Sequence, residues 1–241
     1  MYQEVSSYYG LQSGIESFWT FRGNTEKTTF KVLPDSCVDL IFDLTRYSVF
    51  LSGIMTRYQN RNLDQNTHLL GIRMKAECLP RLMLMPMGEF KNERVDLTGS
   101  DEFLTSSLAV AANESTSWIE RFHLLEKLIL NQQEKFSGVH DDLVLAVVSE
   151  IRRTRGNMRL SELAQSSRMS LRQLERRFKK CVGITLKEFS SIVRFVNAKS
   201  CIRQNQEASL LQIAFDMGYY DHAHMNHEFK RIADENPGAF R

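Results

Sequence analysis

The sequence predicts an α+β chain of two domains, an all-β N-terminal region joined by linker helices to an all-α C-terminal region. Three observations predict it. Residues 1–110 carry short alternating or apolar runs bounded by turn-forming residues, the pattern of strands. Residues 140–241 carry apolar residues at helical spacing, and within them one helix-turn-helix pattern recurs 51 residues later. The length of 241 residues is enough for two cores, and 42% hydrophobic with 25% charged residues is ordinary for a globular chain. The expected divisions are a β region over 1–112, a connecting helix within 113–139, and a helical region over 140–241.

In the first region, Thr29-Phe30-Lys31-Val32-Leu33, Cys37-Val38-Asp39-Leu40-Ile41-Phe42-Asp43-Leu44 and Val49-Phe50-Leu51 read as strands. Leu33-Pro34-Asp35-Ser36, Ser52-Gly53 and Gly99-Ser100-Asp101 read as the turns between and after them. Such strands predict a sandwich or barrel with one or two small helices. Only His68 lies within residues 1–110 and no His-x-His occurs there, whereas a catalytic metal needs several convergent nitrogen or oxygen ligands. The chain is therefore read as a non-enzyme without a metal or other cofactor. Its barrel is read as a sensor or assembly domain, with Trp19, Phe21, Phe42, Phe50 and Phe90 as candidate walls for a small organic effector. Ordinary core packing is the alternative for these five.

Residues 117–136 read as a helix with Trp118, Phe122, Leu125, Ile129 and Phe136 along one stripe. Steps of four, three, four and seven make a heptad-like seam, broadened by Leu124 and Leu128. Homodimerisation through Trp118, Phe122, Leu125 and Ile129 is the first expectation, and burial within one chain the alternative. A short linker follows at 137–141, with Gly138 as its hinge.

The helical region repeats itself. Its first pattern runs from Leu163 and Ala164 through a turn to Ser170, then Leu171, Leu174 and Phe178, the basic pair Lys179-Lys180, and Phe189. The second runs from Ile213 and Ala214 through Gly218 to Asp221, Met225 and Phe229, then Lys230-Arg231 and Phe240. The phenylalanines and basic pairs share an offset of 51 and the alanines one of 50, so the second turn is one residue longer. Small alanines let the paired helices approach closely, and Gly218 supplies the positive φ of a tight turn. Ser170 and Asp221 are N-cap residues for the helices that follow them. Leu171, Leu174 and Phe178 share one face of the first such helix, leaving Arg172, Arg176, Lys179 and Lys180 on or beside the other.

Charge is distributed to match. Residues 140–241 hold 17 Lys or Arg against 12 Asp or Glu, while the remaining residues hold 14 against 17. A polyanionic partner is thus expected at the C-terminal region. Six basic residues fall between Arg168 and Lys180 with only Glu175 against them, the footprint of phosphate contacts.

On these residues the chain resembles the AraC/XylS family of bacterial transcription regulators. The resemblance is carried by Leu160-Ser161-Glu162-Leu163-Ala164, by Met169-Ser170-Leu171-Arg172-Gln173-Leu174-Glu175-Arg176-Arg177-Phe178-Lys179, by Ile213-Ala214 with Gly218-Tyr219, and by Phe229-Lys230-Arg231 with Asn236-Pro237 and Phe240. It implies two three-helix subdomains joined by a long helix, for which residues 187–203 are the match. Leu33-Pro34-Asp35-Ser36-Cys37-Val38-Asp39-Leu40-Ile41-Phe42, with Leu70-Gly71-Ile72-Arg73-Met74, resembles the cupin-like sensory domain of one branch of that family.

The resemblance implies site residues as well. Arg172 and Arg176, one turn apart, are expected in the major groove, where a guanidinium bonds O6 and N7 of guanine. Gln173 and Glu175 flank them as further base contacts, Glu175 reading a cytosine amine or orienting an arginine. In the second helix Ala223 and His227 face outward with His222 and Asn226 at the edges; Asn226 suits an adenine edge and Ala223 a thymine methyl. Phosphate contacts are expected from Ser170, Arg177, Lys179, Lys180, Lys230 and Arg231. The two helices are expected to reach successive major-groove turns, about 34–36 Å apart. Two departures from the family's commoner form bear on this. Arg168 occupies the turn position where a residue tolerant of left-handed backbone is usual, and Asn226 and His227 replace more basic choices. Base reading is therefore expected mainly from the first helix.

His222-Ala223-His224 with His227 imitates a metal cluster, but on a helix His222 and His224 point roughly 200° apart, and DNA contact or exposure is the preferred reading. Cys37, Cys78, Cys181 and Cys201 are widely spaced without Cys-x-x-Cys, which argues against a zinc ribbon. With no signal peptide and no apolar run long enough for a bilayer, a reduced cytoplasmic protein without a membrane partner is expected. The functional expectation is a sequence-specific regulator, an activator by family habit, with promoter DNA and RNA polymerase as partners. The rival reading is a sensory protein whose barrel is the active part and whose helical region makes protein contacts; a steep salt dependence of binding separates the two.

Overall fold

The strand-forming runs of the first half pair into two sheets. The computed structural model describes all residues except 10–13, 24–27, 82–86, 100–102, 114–116 and 136–140. The eight described strands are β1 (Tyr2–Ser6), β2 (Ile15–Arg22), β3 (Thr28–Val32), β4 (Cys37–Asp43), β5 (Ser48–Ser52), β6 (Gln59–Leu63), β7 (His68–Lys75) and β8 (Arg94–Asp96). Six form one sheet in the order β1-β2-β7-β4-β5-β8, and β3 pairs with β6 in a second. The three runs expected as strands lie in β3, β4 and β5, and Leu70 to Met74 lie in β7.

Alternation along β2, β4 and β7 gives the large sheet two buried faces. One carries Trp19, Phe21, Ile41 and Leu69, covered by Phe30, Phe50 and Leu63. Trp19 Nε1 donates to Asp39 Oδ1 at 2.7 Å, so the indole is fixed within this layer. Trp19, Phe21 and Phe50 thus serve as core, and Phe42 and Phe90 are at most 3% exposed.

The other face carries Phe18, stacked on Phe122 with ring centroids 4.9 Å apart. Phe122 belongs to α2 (Trp118–Lys135), which follows the short α1 (Ala109–Asn113). Leu125 and Ile129 are 0% exposed in the single chain. This corrects the dimer reading of the stripe: Phe122, Leu125 and Ile129 face their own chain's core, and Trp118 is half-buried beside Phe122. Glu126, also buried, accepts the Tyr8 and Tyr9 amides at 3.0 Å and the Ser7 hydroxyl. Phe136 and residues 137–140 of the expected linker lie outside the described residues, as do Ser100 and Asp101.

The second half forms six α-helices: α3 (Asp142–Arg153), α4 (Leu160–Ser166), α5 (Leu171–Val182), α6 (Leu186–Gln204), α7 (Leu210–Asp216) and α8 (His222–Ala233). The chain divides into two compact units, one of residues 1–31, 37–54 and 60–140, the other of 32–36, 55–59 and 141–241. The second thus takes in two short segments far from it in sequence. Among the described residues all four cysteines are free thiols, no group of three or more metal-ligating side chains converges, and no helix is long and apolar enough to cross a membrane.

Candidate nucleic-acid interface

The interface is built on two helix-turn-helix units with matching backbones. In the first, the turn from α4 is closed by Arg168 N donating to Gln165 O and Met169 N to Ala164 O, both at 3.1 Å. In the second, Gly218 N donates to Phe215 O at 3.0 Å and Tyr219 N to Ala214 O at 2.9 Å. Arg168 and Gly218 occupy the same position and both have positive φ, 51° and 73°. Only the glycine adopts that conformation without strain. The extra residue of the second turn is Tyr220, 85% exposed, immediately before the Asp221 cap.

Each recognition helix starts at a side-chain cap. Gln173 N donates to Ser170 Oγ, and Gln173 Oε1 accepts from Ser170 N, a reciprocal capping box. Asp221 Oδ1 accepts from His224 N at 2.6 Å. The inner faces are Leu174, Phe178 and Val182 on α5, and Met225, Phe229 and Ile232 on α8. α5 ends at Gly183 and α8 at Asp234, both left-handed. α6 joins the units: Phe189 meets Phe178 at 5.5 Å and Phe195 meets Phe229 at 4.8 Å between ring centroids. α6 begins with its own capping box between Thr185 and Glu188 and spans Leu186–Gln204, where a connector over 187–203 was expected.

The outward faces differ. On α5, Arg172, Arg176, Lys179 and Lys180 are exposed, and none has a hydrogen-bond or ion-pair partner among the described residues. A surface groove of about 530 Å³ runs along Ser170, Arg172, Gln173, Glu175, Arg176, Lys179 and Thr185. Gln173 has its oxygen in the capping box, which leaves its amide nitrogen to face outward chemistry. Arg177 differs from its neighbours: its guanidinium bonds Asp141, the N-cap of α3. That hydrogen bond and the carboxylate charge push the Arg177 pKa up.

On α8, Ala223 and His227 are exposed and Asn226 is half-buried. The Nε2 of His222 is buried without a hydrogen-bond partner among the described residues, and His224 Nδ1 accepts from Tyr220 N at 3.3 Å. Lys230 bonds the Asp234 carbonyl at 3.1 Å and its carboxylate at 3.0 Å, at the C-terminus of its own helix. Arg231 donates to Ser191 Oγ at 2.6 Å. The two basic residues after the second phenylalanine are therefore engaged within the domain, whereas Lys179 and Lys180 are not.

The sequence reading missed a buried polar cluster beneath α8. Glu228, 6% exposed, accepts from Ser191 Oγ at 2.5 Å and from Arg194 Nη2 at 3.0 Å and Nε at 3.2 Å. The Arg194 guanidinium lies 5.0 Å from the centre of the Tyr219 ring. Burial works against the Arg194 charge, but Glu228 outweighs it and the pKa is raised; burial, with Glu228 next, pushes the Tyr219 phenol up. A signal existed: Glu228 follows Met225 by three positions and precedes Ile232 by four, which sets a carboxylate on the apolar stripe.

Comparison with known proteins bears on both halves. Residues 163–241 match a family described as a helix-turn-helix domain, and residues 3–96 match a domain of unknown function, DUF6597. An uncharacterized HTH-type transcriptional regulator of Haemophilus influenzae is 25% identical over 119 residues, which cover 49% of this chain and 40% of that one. The match thus spans about two fifths of that relative's length. Among solved structures, an apo variant of ToxT from Vibrio cholerae is 15% identical, with 92% of this chain and 96% of that one covered and a TM-score of 0.43. Wild-type ToxT with a bound unsaturated fatty acid is 14% identical, with 99% and 92% covered and a TM-score of 0.41. The two capped helices α5 and α8 on the connector α6 thus lie within the residues that match the helix-turn-helix family.

Proposed function

We propose that the protein is a sequence-specific transcription regulator that reads two successive major-groove segments of promoter DNA, with α5 as the principal reader. One observation carries this reading: α5 presents Arg172, Arg176, Lys179 and Lys180 together, exposed and without partners among the described residues. Arg172 and Arg176 are the base readers, since a guanidinium bonds both acceptors of guanine. Lys179 and Lys180 are the phosphate contacts, with Ser170 at the helix start. α8 contributes Ala223, Asn226 and His227 to the second segment. The engagement of Lys230 and Arg231 within the domain argues for fewer phosphate contacts there. Once bound, the protein acts as an activator through RNA polymerase.

A groove in the N-terminal, sheet-bearing compact unit is the favoured effector site. It has a volume of 430 Å³ and is lined by Phe42, Tyr47, Ser48, Val49, Ala109, Val110 and neighbouring residues. Asp43 and Asn113 complete the lining, and Ser48 Oγ is buried with no hydrogen-bond partner among the described residues, so a largely apolar molecule with an acceptor group fits it. A homodimer through α2 would use its outward face, where Ile119 is 63% exposed.

Selection of bound duplexes from a randomised DNA pool by the intact protein tests the reading, repeated with the double variant Arg172→Ala/Arg176→Ala. The expected result is a motif of two blocks one helical turn apart, with one block lost in the variant. A protein-binding role for the helical region predicts no enriched motif, even when an excess of effector candidates is supplied.

A further inference from the structure

We infer that Glu228, Arg194 and Asn157 are positioning residues: together they fix α8 relative to α5 and so set the spacing between the two DNA blocks that the protein accepts. The inference rests on the two-segment reading above. It begins with where the three elements meet. The loop between α3 and α4 belongs to the first helix-turn-helix unit, and its Gly156 lies against the connector. A side chain there would come within 2.2 Å of Ser190 O and 2.8 Å of Arg194 N. The next residue, Asn157, has its side-chain amide against Gly218 in the turn of the second unit, where an added Cβ would lie 1.9 Å from Asn157 Oδ1. One loop of the first unit therefore touches both the connector and the second turn.

From the other side, α8 reaches the same stretch of α6. Glu228 takes hydrogen bonds from Ser191 and Arg194, neighbours of the two atoms that Gly156 abuts. Arg231 closes the cluster through Ser191 Oγ, and the Arg194 guanidinium covers the Tyr219 ring just after Gly218. Bidentate pairing of a guanidinium with a carboxylate fixes direction as well as distance. Apolar contacts between Phe195 and Phe229 would permit sliding or rotation; the paired charges restrict both. The connector thus carries α8 at one angle, rather than merely tethering it.

Spacing selection follows from the geometry of duplex DNA. One added base pair moves the second block by about 3.4 Å and rotates it by roughly one tenth of a turn. A fixed pair of readers loses contacts on such a shift, whereas a loosely held pair adjusts. Asn157 and Glu228 lie away from the predicted base contacts, so their effect on a single block should be small.

The test uses the full chain and duplexes carrying both selected blocks with spacers one base pair shorter, native, and one or two longer, together with a duplex holding only the first block. For the wild-type protein, affinity should fall about tenfold or more on a one-base-pair change. In Glu228→Gln the same change should cost about threefold or less, with first-block affinity within about twofold of wild type. Asn157→Ala, an exposed loop substitution that leaves the buried cluster intact, should soften the spacing profile in the same direction and decides the matter where Glu228→Gln lacks a cooperative thermal transition. Wild-type spacing profiles in the folded variants would overturn the positioning role, as would a wild-type protein indifferent to spacing while using both blocks. Binding that never uses a second block would instead remove the two-segment reading itself.

Discussion

The two helix-turn-helix units share a backbone plan and differ in what their side chains are doing. Both close their turns with the same pair of hydrogen bonds and start their recognition helices at a capping side chain. Yet α5 leaves four cations outward without partners among the described residues, while α8 has Lys230 and Arg231 engaged inside the domain and a carboxylate on its inner face. The difference teaches that a repeated fold need not mean repeated chemistry. On the proposed reading, the first unit is the principal reader of DNA, and the second is held in place and reads less.

The largest expected effect comes from removing the readers of the first unit. Arg172→Ala/Arg176→Ala should cost about 2–6 kcal/mol in binding to the selected duplex, from about 1–3 kcal/mol for each bidentate contact. His227→Ala in the second unit should cost under about 1 kcal/mol. Fluorescence anisotropy on one labelled duplex checks both, and equal losses would break the comparison.

The turns give a second contrast. Gly218→Ala puts a methyl into the Asn157 amide at a φ of 73°, and should destabilise the domain by about 1–3 kcal/mol in urea unfolding. Arg168→Gly at the matching position relieves left-handed strain and should leave stability unchanged or raised by up to about 1 kcal/mol. Loss of stability in both would mean that Arg168 has a role its backbone does not reveal.

Salt dependence sharpens the comparison further. Lys179→Ala should weaken binding to all sequences and reduce the slope of log affinity against log salt by about 1. Lys230→Ala, whose ammonium is already paired with Asp234, should change that slope by less than about 0.5. The most symmetrical effect is expected at the caps. Ser170→Ala and Asp221→Ala should each cost about 1 kcal/mol of stability by thermal unfolding, since each accepts a backbone amide at its helix start.

What was legible in the sequence follows from how local the cause is. The caps at Ser170 and Asp221, the stripes through Leu174 and Phe178, and the positive φ near Arg168 all arise within a few residues, and sequence spacing exposes them. The strands around Phe30, Ile41 and Phe50 show because each run is alternating or continuously apolar over a few neighbouring residues. The stripe of Trp118, Phe122, Leu125 and Ile129 was legible as apolar but not as inward. Its partner, Phe18, lies a hundred residues earlier, and no helical period says which surface covers it. Arg177 and Arg231 were read as phosphate contacts because they follow basic neighbours. Their carboxylate and hydroxyl partners, Asp141 and Ser191, lie 36 and 40 residues away. The inward carboxylate of Glu228 could have been seen as an acid on an apolar stripe, but its ligands on α6 could not.

The most direct test of the unequal division of labour is an interference experiment on the selected duplex, with 7-deazaguanine or N6-methyladenine placed singly at each position. Loss of the purine N7 or crowding of the N6 edge removes what a guanidinium or a side-chain amide reads in the major groove. The account predicts that the strong losses fall at guanines in one block and vanish there in Arg172→Ala/Arg176→Ala, while the other block shows weak losses only. Strong guanine losses spread equally over both blocks, or confined to the block that survives in the double variant, would contradict it.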